Sequence, residues 1–347
     1  MIIPIENQHS YNTLPRNRDL KLNISNRCNA PSRQLVVDWK GDCFVCSCEA
    51  WLPISVGRID QFAELSDVWN SPAAVALQQN INHGEFTHCA VDRCGILDSN
   101  LIDQRYVISI NIDESCNLRC PSCRTDLIMT TTGKNYDRKL AQVDHLVDLL
   151  ERFDRPCHIV MSGNGDPLAS AIMRPLIHRF KPGPDQTIRL FTNGLLLKKQ
   201  LENSSILNNI TQYFISIDAG SESVYERVRL GGQWSNLLEN LDWLQQIKFN
   251  TRAEVLLKFV LQKDNWHDME NFADLCERYG FMGVIHRLED WGTWKDFANQ
   301  DCIGNRSHAM HDLSVKELQR VHALNCNRLQ FGASLSTLVS GSVPNVL

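Results

Sequence analysis

Between residues 106 and 294, short apolar runs alternate with longer stretches in which apolar residues recur every three or four positions. The short runs lie at 106–112, 158–162, 187–192, 212–218, 253–261 and 283–287, and their length and near-continuous apolar character fit strands of a parallel sheet. Between them the spacing predicts helices. The clearest sets Leu140, Val143, Leu146, Val147 and Leu150 on one stripe with charged residues opposite. Others are predicted at 170–179, 234–246 and 267–279. Six such repeats predict an α/β fold, and they suit a partial, six-stranded barrel better than a closed eight-stranded one. Ligands in such folds sit at the carboxyl ends of strands. Polar and glycine residues gather there: a cysteine loop after the first run, Ser162-Gly-Asn-Gly-Asp-Pro167 after the second, Thr192-Asn-Gly194 after the third and Ser216-Ile-Asp-Ala-Gly220 after the fourth.

The segment before residue 106 has a different pattern. Residues 34–39 read as a strand, Lys40-Gly41-Asp42 as a turn, and the two together as a hairpin leading into Cys43-Phe-Val-Cys-Ser-Cys48. At the other end, residues 330–347 are small and polar, with Pro344 near the end, and are expected to form a loosely packed tail. The expected division is an N-terminal extension at 1–24, a small Cys-rich module at 25–104, a partial barrel at 105–300 and a C-terminal extension at 301–347.

Charge and composition narrow the choice. The net charge is −5 with no block of one sign, which argues against a nucleic-acid-coating surface or a polybasic membrane anchor. Residues 1–20 lack the pattern of a secretory signal and no run of 18 apolar residues occurs, so a soluble, cytoplasmic protein is expected. Thirteen cysteines in a reducing compartment are better used as metal ligands than as disulfides.

Three of them stand as C-x-x-x-C-x-x-C: Cys116, Cys120 and Cys123. Three thiolates at this spacing can hold three corners of a cubane iron–sulfur cluster and leave the fourth iron open to a small molecule, whereas a zinc ribbon closes its fourth position. Here the chain resembles the radical S-adenosylmethionine (radical SAM) enzymes, whose defining motif this is. The resemblance implies a radical SAM partial (β/α)6 barrel and a 4Fe–4S cluster whose open iron chelates S-adenosylmethionine. It also implies one-electron cleavage to methionine and a 5′-deoxyadenosyl radical, with a donor such as flavodoxin or ferredoxin. One departure is Ser122, where the family usually has an aromatic residue against adenine. Gly163, Gly165, Asp166 and Pro167 resemble the family's Gly-Gly-Glu-Pro loop, which holds the amino group of the cofactor, with Asp in place of Glu and Asn164 intervening. By the same resemblance Thr192, Asn193, Ser216 and Asp218 contact its ribose and carboxylate, and Arg229 meets its carboxylate. The plainer reading of Arg229 is a surface ion pair with a neighbouring Glu. Alternation along the strand would point Ser216 and Asp218 to one side.

Cys28, Cys46, Cys89 and Cys94 form a second candidate set, for which a closed cubane cluster and a four-cysteine zinc site are the rival occupants. This stretch resembles the SPASM or Twitch auxiliary-cluster module: Cys28, Gly41 followed by Cys46, and Cys89 with Cys94, joined by Val56-Gly-Arg-Ile59 and Asp67-Val-Trp-Asn-Ser71. The resemblance implies a second, auxiliary 4Fe–4S cluster, here placed before the barrel instead of after it. The Cys43/Cys46/Cys48 cluster leaves the second ligand ambiguous; the glycine spacing favours Cys46, with Cys43 and Cys48 by default non-ligands. Cys302, after the sixth strand, is a candidate hydrogen-atom donor, as in radical peptide epimerases. The residues 286–294, rich in aromatic and polar side chains, either line a substrate pocket or pack against the module. The expected function is a radical SAM enzyme acting on a peptide, a protein or a small molecule. The alternative is a non-catalytic zinc or iron–sulfur scaffold that docks a partner.

Overall fold

The computed structural model describes residues 28–46, 52–91, 94, 105–290, 292 and 294–339. The expected N-terminal extension, Cys48 and residues 340–347 lie outside the described residues, as do Trp291 and Thr293 of the loop after the sixth predicted strand. The chain divides into two compact units: Met1–Ser115 with Ile128–Leu190 and Asn203–Ile210, and Cys116–Leu127 with Phe191–Glu202 and Thr211–Leu347.

In the first unit the predicted hairpin forms. β1 (Gln34–Val37) pairs antiparallel with β2 (Asp42–Phe44), which pairs in turn with β3 (Ser55–Arg58). Asp38 closes the turn by accepting from the backbone N–H groups of Lys40 at 2.8 Å and Asp42 at 2.7 Å. β1 then runs parallel to β4 (Tyr106–Ile110), Gln34 opposite Val107 and Val37 opposite Ile110. The Cys-rich segment thus continues the sheet that β4, β5 (Cys157–Met161) and β6 (Gln186–Thr192) build in parallel. Trp69 secures this junction: its ring lies 4.7 Å from that of Tyr106 and 5.8 Å from that of Phe153, and its indole N–H donates to the Gln34 carbonyl at 3.0 Å.

The helix Lys134–Arg152 buries Val143, Leu146, Val147 and Leu150 as the spacing predicts, but at its start the buried residue is Lys139 (1% exposed), not Leu140. Lys139 pairs with Asp113 at 3.5 Å, under the ring of Trp39. The predicted helix at 170–179 shrinks to Arg174–His178. Ser170 instead donates to Asp113 at 2.6 Å and accepts from the N–H of Met173, holding the preceding residues in a turn.

In the second unit β7 (Ile210–Ser216, from Thr211 onward), β8 (Glu254–Leu261) and β9 (Met282–Arg287) run parallel. Along β8, Val255, Leu257, Phe259 and Leu261 are buried, Phe259 against Phe272 of the helix Met269–Tyr279, while Leu256, Lys258 and Val260 are half-buried on the other face. The loosely packed tail expected from residue 330 needs correction over its described part. β10 (Leu329–Phe331) pairs parallel with β9, and Leu335 is fully buried. Backbone pairing, with the Gly332 N–H donating to the Ile285 carbonyl at 2.8 Å, orders a segment whose side chains alone suggest little packing. Among the described residues no helix is long and apolar enough to cross a membrane.

Candidate metal centres

The C-x-x-x-C-x-x-C loop lies in the second unit as a tight turn, the N–H of Cys123 bonded to the Cys120 carbonyl at 2.9 Å. Each sulfur has an N–H donor from the chain itself. Cys116 Sγ accepts from the Leu118 N–H at 3.4 Å and has the Asn193 amide at 3.8 Å; Cys120 Sγ lies 3.6 Å from Arg229 Nη1; Cys123 Sγ lies 4.0 Å from Arg124. Such donors stabilise thiolate sulfur and set the potential of an iron–sulfur cluster. Burial raises the Cys120 thiol and the Arg229 guanidinium opposes that rise. The donor set therefore fits a negatively charged, thiolate-ligated cluster.

Arg229 ends the helix Glu222–Val228, with its side chain buried. It pairs with Asp218 at 2.7 Å, which replaces the surface pair with a neighbouring Glu. Its Nε is buried without a hydrogen-bond partner among the described residues. Asp218 lies past the end of β7 in a left-handed conformation, φ +59°, so the alternation expected to align it with Ser216 stops at the strand end. The turn is held from all sides. The N–H groups of Ile217 and Asp218 both donate to the Lys258 carbonyl, Asp218 Oδ1 accepts from the Val260 N–H at 2.7 Å, and Asn265 donates to the Asp218 carbonyl at 2.9 Å. Asp268 accepts from the N–H groups of Gly220 at 2.6 Å and Ser221 at 3.0 Å. Asn265 and Asp268 were not singled out from the sequence; the signal was their place in Asn265-Trp-His-Asp268, directly after a strand end. Nearby, Thr192 accepts from the Gly194 N–H, and Asn193 donates to Asn117 at 2.8 Å, tying the end of β6 to the cysteine loop. The Ser216 hydroxyl makes no hydrogen bond among the described residues.

The Gly-Asn-Gly-Asp-Pro loop belongs to the first unit. Gly163 has φ +144°, and Gly165 packs so closely on the Ser115 carbonyl that a Cβ there would collide with it. The Asp166 N–H donates to that same carbonyl at 2.8 Å, and its carboxylate, almost fully buried beside the buried Pro167, accepts from the Leu168 N–H at 2.9 Å. Asp166 thus shapes its own loop.

Cys28, Cys46, Cys89 and Cys94 line one small cavity of about 20 Å³, walled by Ala30, Pro31, Leu52, Ile81, Phe86 and Ala90. Cys43 is fully buried and lines no part of it. Burial raises the Cys28 thiol, and the nearby Cys94 raises it further. Among the described residues no three His, Cys, Asp or Glu are grouped closely enough to hold a single ion. What the four thiols share is an apolar chamber, a setting that fits a buried cluster.

Residues 110–276 match the family described as Radical SAM superfamily, and residues 28–95 the one described as Iron-sulfur cluster-binding domain. The chain carries a radical SAM domain and, before it, an iron–sulfur cluster-binding domain. These two domains imply iron–sulfur clusters and S-adenosylmethionine binding. Among curated relatives it is 23% identical over 197 residues to the mycofactocin maturase MftC of Mycolicibacterium smegmatis, covering 56% of this chain and 47% of the maturase. It is 27% identical over 194 residues to the GTP 3',8-cyclase of Limosilactobacillus fermentum, covering 53% and 56%. The chain spans about half the length of these relatives. A crystal structure of Streptococcus suis SuiB bound to S-adenosylmethionine overlaps 70% of this chain and 51% of that one, at 14% identity and a TM-score of 0.40.

Cys302, the candidate hydrogen-atom donor, lies in the second unit beyond the sixth predicted strand. It is 0% exposed, its carbonyl accepts from Ser314 of the helix His311–Ala323, and burial raises its thiol to about 11. No open surface reaches its sulfur. His308 and His311 contact the backbone carbonyls of Asn299 and Cys302.

Proposed function

We propose that this radical SAM enzyme binds a 4Fe–4S cluster at Cys116, Cys120 and Cys123 and a second, auxiliary 4Fe–4S cluster at Cys28, Cys46, Cys89 and Cys94. When bound, the open-cornered cluster supplies the electron that breaks a carbon–sulfur bond of S-adenosylmethionine, leaving methionine and a 5′-deoxyadenosyl radical that takes a hydrogen atom from a substrate C–H bond. A flavodoxin or ferredoxin is the proposed source of that electron. The observation that carries the reading is the cysteine trio itself, three thiols on one loop, each with an N–H donor, at the head of a radical SAM domain.

The remaining residues have complementary parts. The loop of Gly163, Gly165, Asp166 and Pro167 receives the amino group of S-adenosylmethionine, with Asp166 acting by fixing the loop's backbone. Arg229 offers its uncommitted Nε to the methionine carboxylate. Ser216 offers its hydroxyl to the ribose, while Asp218, Thr192 and Asn193 hold the strand ends in place. The auxiliary-cluster module, at 25–104, and the barrel, at 105–300, are proposed as the functional division. The substrate proposed is a peptide or protein, in keeping with the auxiliary-module resemblance; a small molecule is the second reading, in keeping with the cyclase relative.

Anaerobic purification with iron, sulfide and zinc analysis tests this directly. About eight irons per chain, with 5′-deoxyadenosine formed on reduction, is the expected result. Bound zinc with S-adenosylmethionine left intact would favour a non-catalytic scaffold.

A further inference from the structure

The half-buried face of the second unit carries a cation with no ion pair within 4.0 Å among the described residues. Lys258 lies on β8 and His286 two positions further along the ladder on β9, since Lys258 is opposite Val284 and Val260 opposite His286. Both side chains therefore point to the same face. Lys258 Nζ has no carboxylate within 4.0 Å and no hydrogen-bond acceptor among the described residues. It lies 5.5 Å from the ring of Phe191, and that ring is stacked on Phe214 at 4.2 Å with the planes 8° apart. Two carboxylates act on Lys258 from beyond contact: Glu289, which is exposed, and Asp218, which is taken by Arg229 and by the Val260 N–H. The His286 ring is likewise without a hydrogen bond among the described residues. Two nitrogen-bearing side chains, partly withdrawn from water, thus stand over an aromatic floor with their hydrogen-bonding capacity unused. Polar groups withdrawn from water without partners are costly, and a ligand that satisfies them recovers that cost.

We propose that Lys258 and His286 anchor a carboxylate of the substrate, with Phe191 and Phe214 packing against the carbon chain that bears it. The proposal rests on the radical SAM reading only in taking this face as the substrate's. Lys258 supplies the charge and His286 a neutral N–H donor, since burial and the Lys258 ammonium lower its pKa to about 4. A peptide with an acidic side chain or a free C-terminus presents such a group, and so does an amino-acid-derived small molecule. A neutral sugar does not.

The test uses the cluster-loaded protein with S-adenosylmethionine bound. Two probes differing only in charge, N-acetylglutamate α-amide and N-acetylglutamine α-amide, are titrated by saturation-transfer NMR. The expected result is a preference of about tenfold for the acid, the effect of one charge-assisted contact. That preference should be erased in Lys258→Met and weakened in His286→Ala. Equal binding of the two probes, or a preference that survives Lys258→Met, would overturn the proposal. So would a preference seen only without S-adenosylmethionine, which would assign the subsite to the cofactor's own carboxylate. Formation of 5′-deoxyadenosine by the wild-type protein, measured in parallel, tests the radical reading separately: its absence would sink that reading and leave the charge preference to stand or fall by itself.

Discussion

Arg229 Nη2 lies 2.7 Å from Asp218 Oδ2 while its Nη1 lies 3.6 Å from Cys120 Sγ, so one guanidinium serves a buried carboxylate and a sulfur together. Removing it should do two separable things. Arg229→Leu leaves the Asp218 charge buried and unpaired, at a cost of about 3–5 kcal/mol in denaturant unfolding. It also takes away the cation that opposes the rise of the Cys120 thiol, so iron retention at the cysteine trio should fall. The double variant Arg229→Leu/Asp218→Asn should recover most of the stability without recovering the iron. Recovery of both would reduce Arg229 to a structural role.

The buried pair of Asp113 and Lys139 makes a second case. Lys139→Ala should destabilise the chain by about 3–5 kcal/mol, because Asp113 would keep only the Ser170 hydroxyl. Lys139→Met with Asp113→Asn removes both charges, keeps the Ser170 contact and should come within about 1 kcal/mol of wild type. A double-mutant cycle in urea measures the difference.

Cys46 and Cys43 are three residues apart, yet only Cys46 lines the four-thiol cavity. Cys46→Ser should therefore remove about four irons per chain and leave the other cluster, whereas Cys43→Ser should leave iron content unchanged. Iron analysis after anaerobic reconstitution decides between them. Loss of iron from the Cys43 variant would move the ligand.

His286 predicts a pH effect of definite sign. Burial first, and then the Lys258 ammonium, lower its folded pKa to about 4 from the ordinary 6.5. The folded state favours the neutral ring, so this contribution to stability is complete above pH 6.5 and is lost as pH falls from there toward 4. Its size is at most a few kcal/mol. His286→Gln should flatten that part of the stability profile relative to wild type, as read from urea midpoints. An unchanged difference between the two proteins across this range would place His286 in water.

The six central strands were legible because each is a near-continuous apolar run, a pattern that survives without knowledge of any partner. Their observed ends moved by three residues or fewer. The shared loop of one cysteine set and the shared cavity of the other stood out for another reason: a fixed residue type at fixed spacing survives in the chain as text. What escaped notice were polar residues whose burial depends on distant partners. Lys139 looks like part of a charged helix face until Asp113 and Trp39 are in place, and Asn265 and Asp268 look like ordinary turn residues until Asp218 and Gly220 approach them. The burial of Cys302 was hidden too, since its position after a strand says nothing about the helix that packs on it. β10 escaped because its order comes from main-chain pairing, which leaves little trace in side-chain composition.

That last strand has a use beyond order. A parallel strand that ended the array uncovered would present a row of bare amide and carbonyl groups to any other extended chain. Leu329–Phe331 satisfies that row along Gly283–Ile285 of β9, as Gln34–Val37 does along β4 in the other unit. Leu329–Phe331 then ends the array with an edge only three residues long, too short to template another chain well, so clipping it should bring clumping in the test tube.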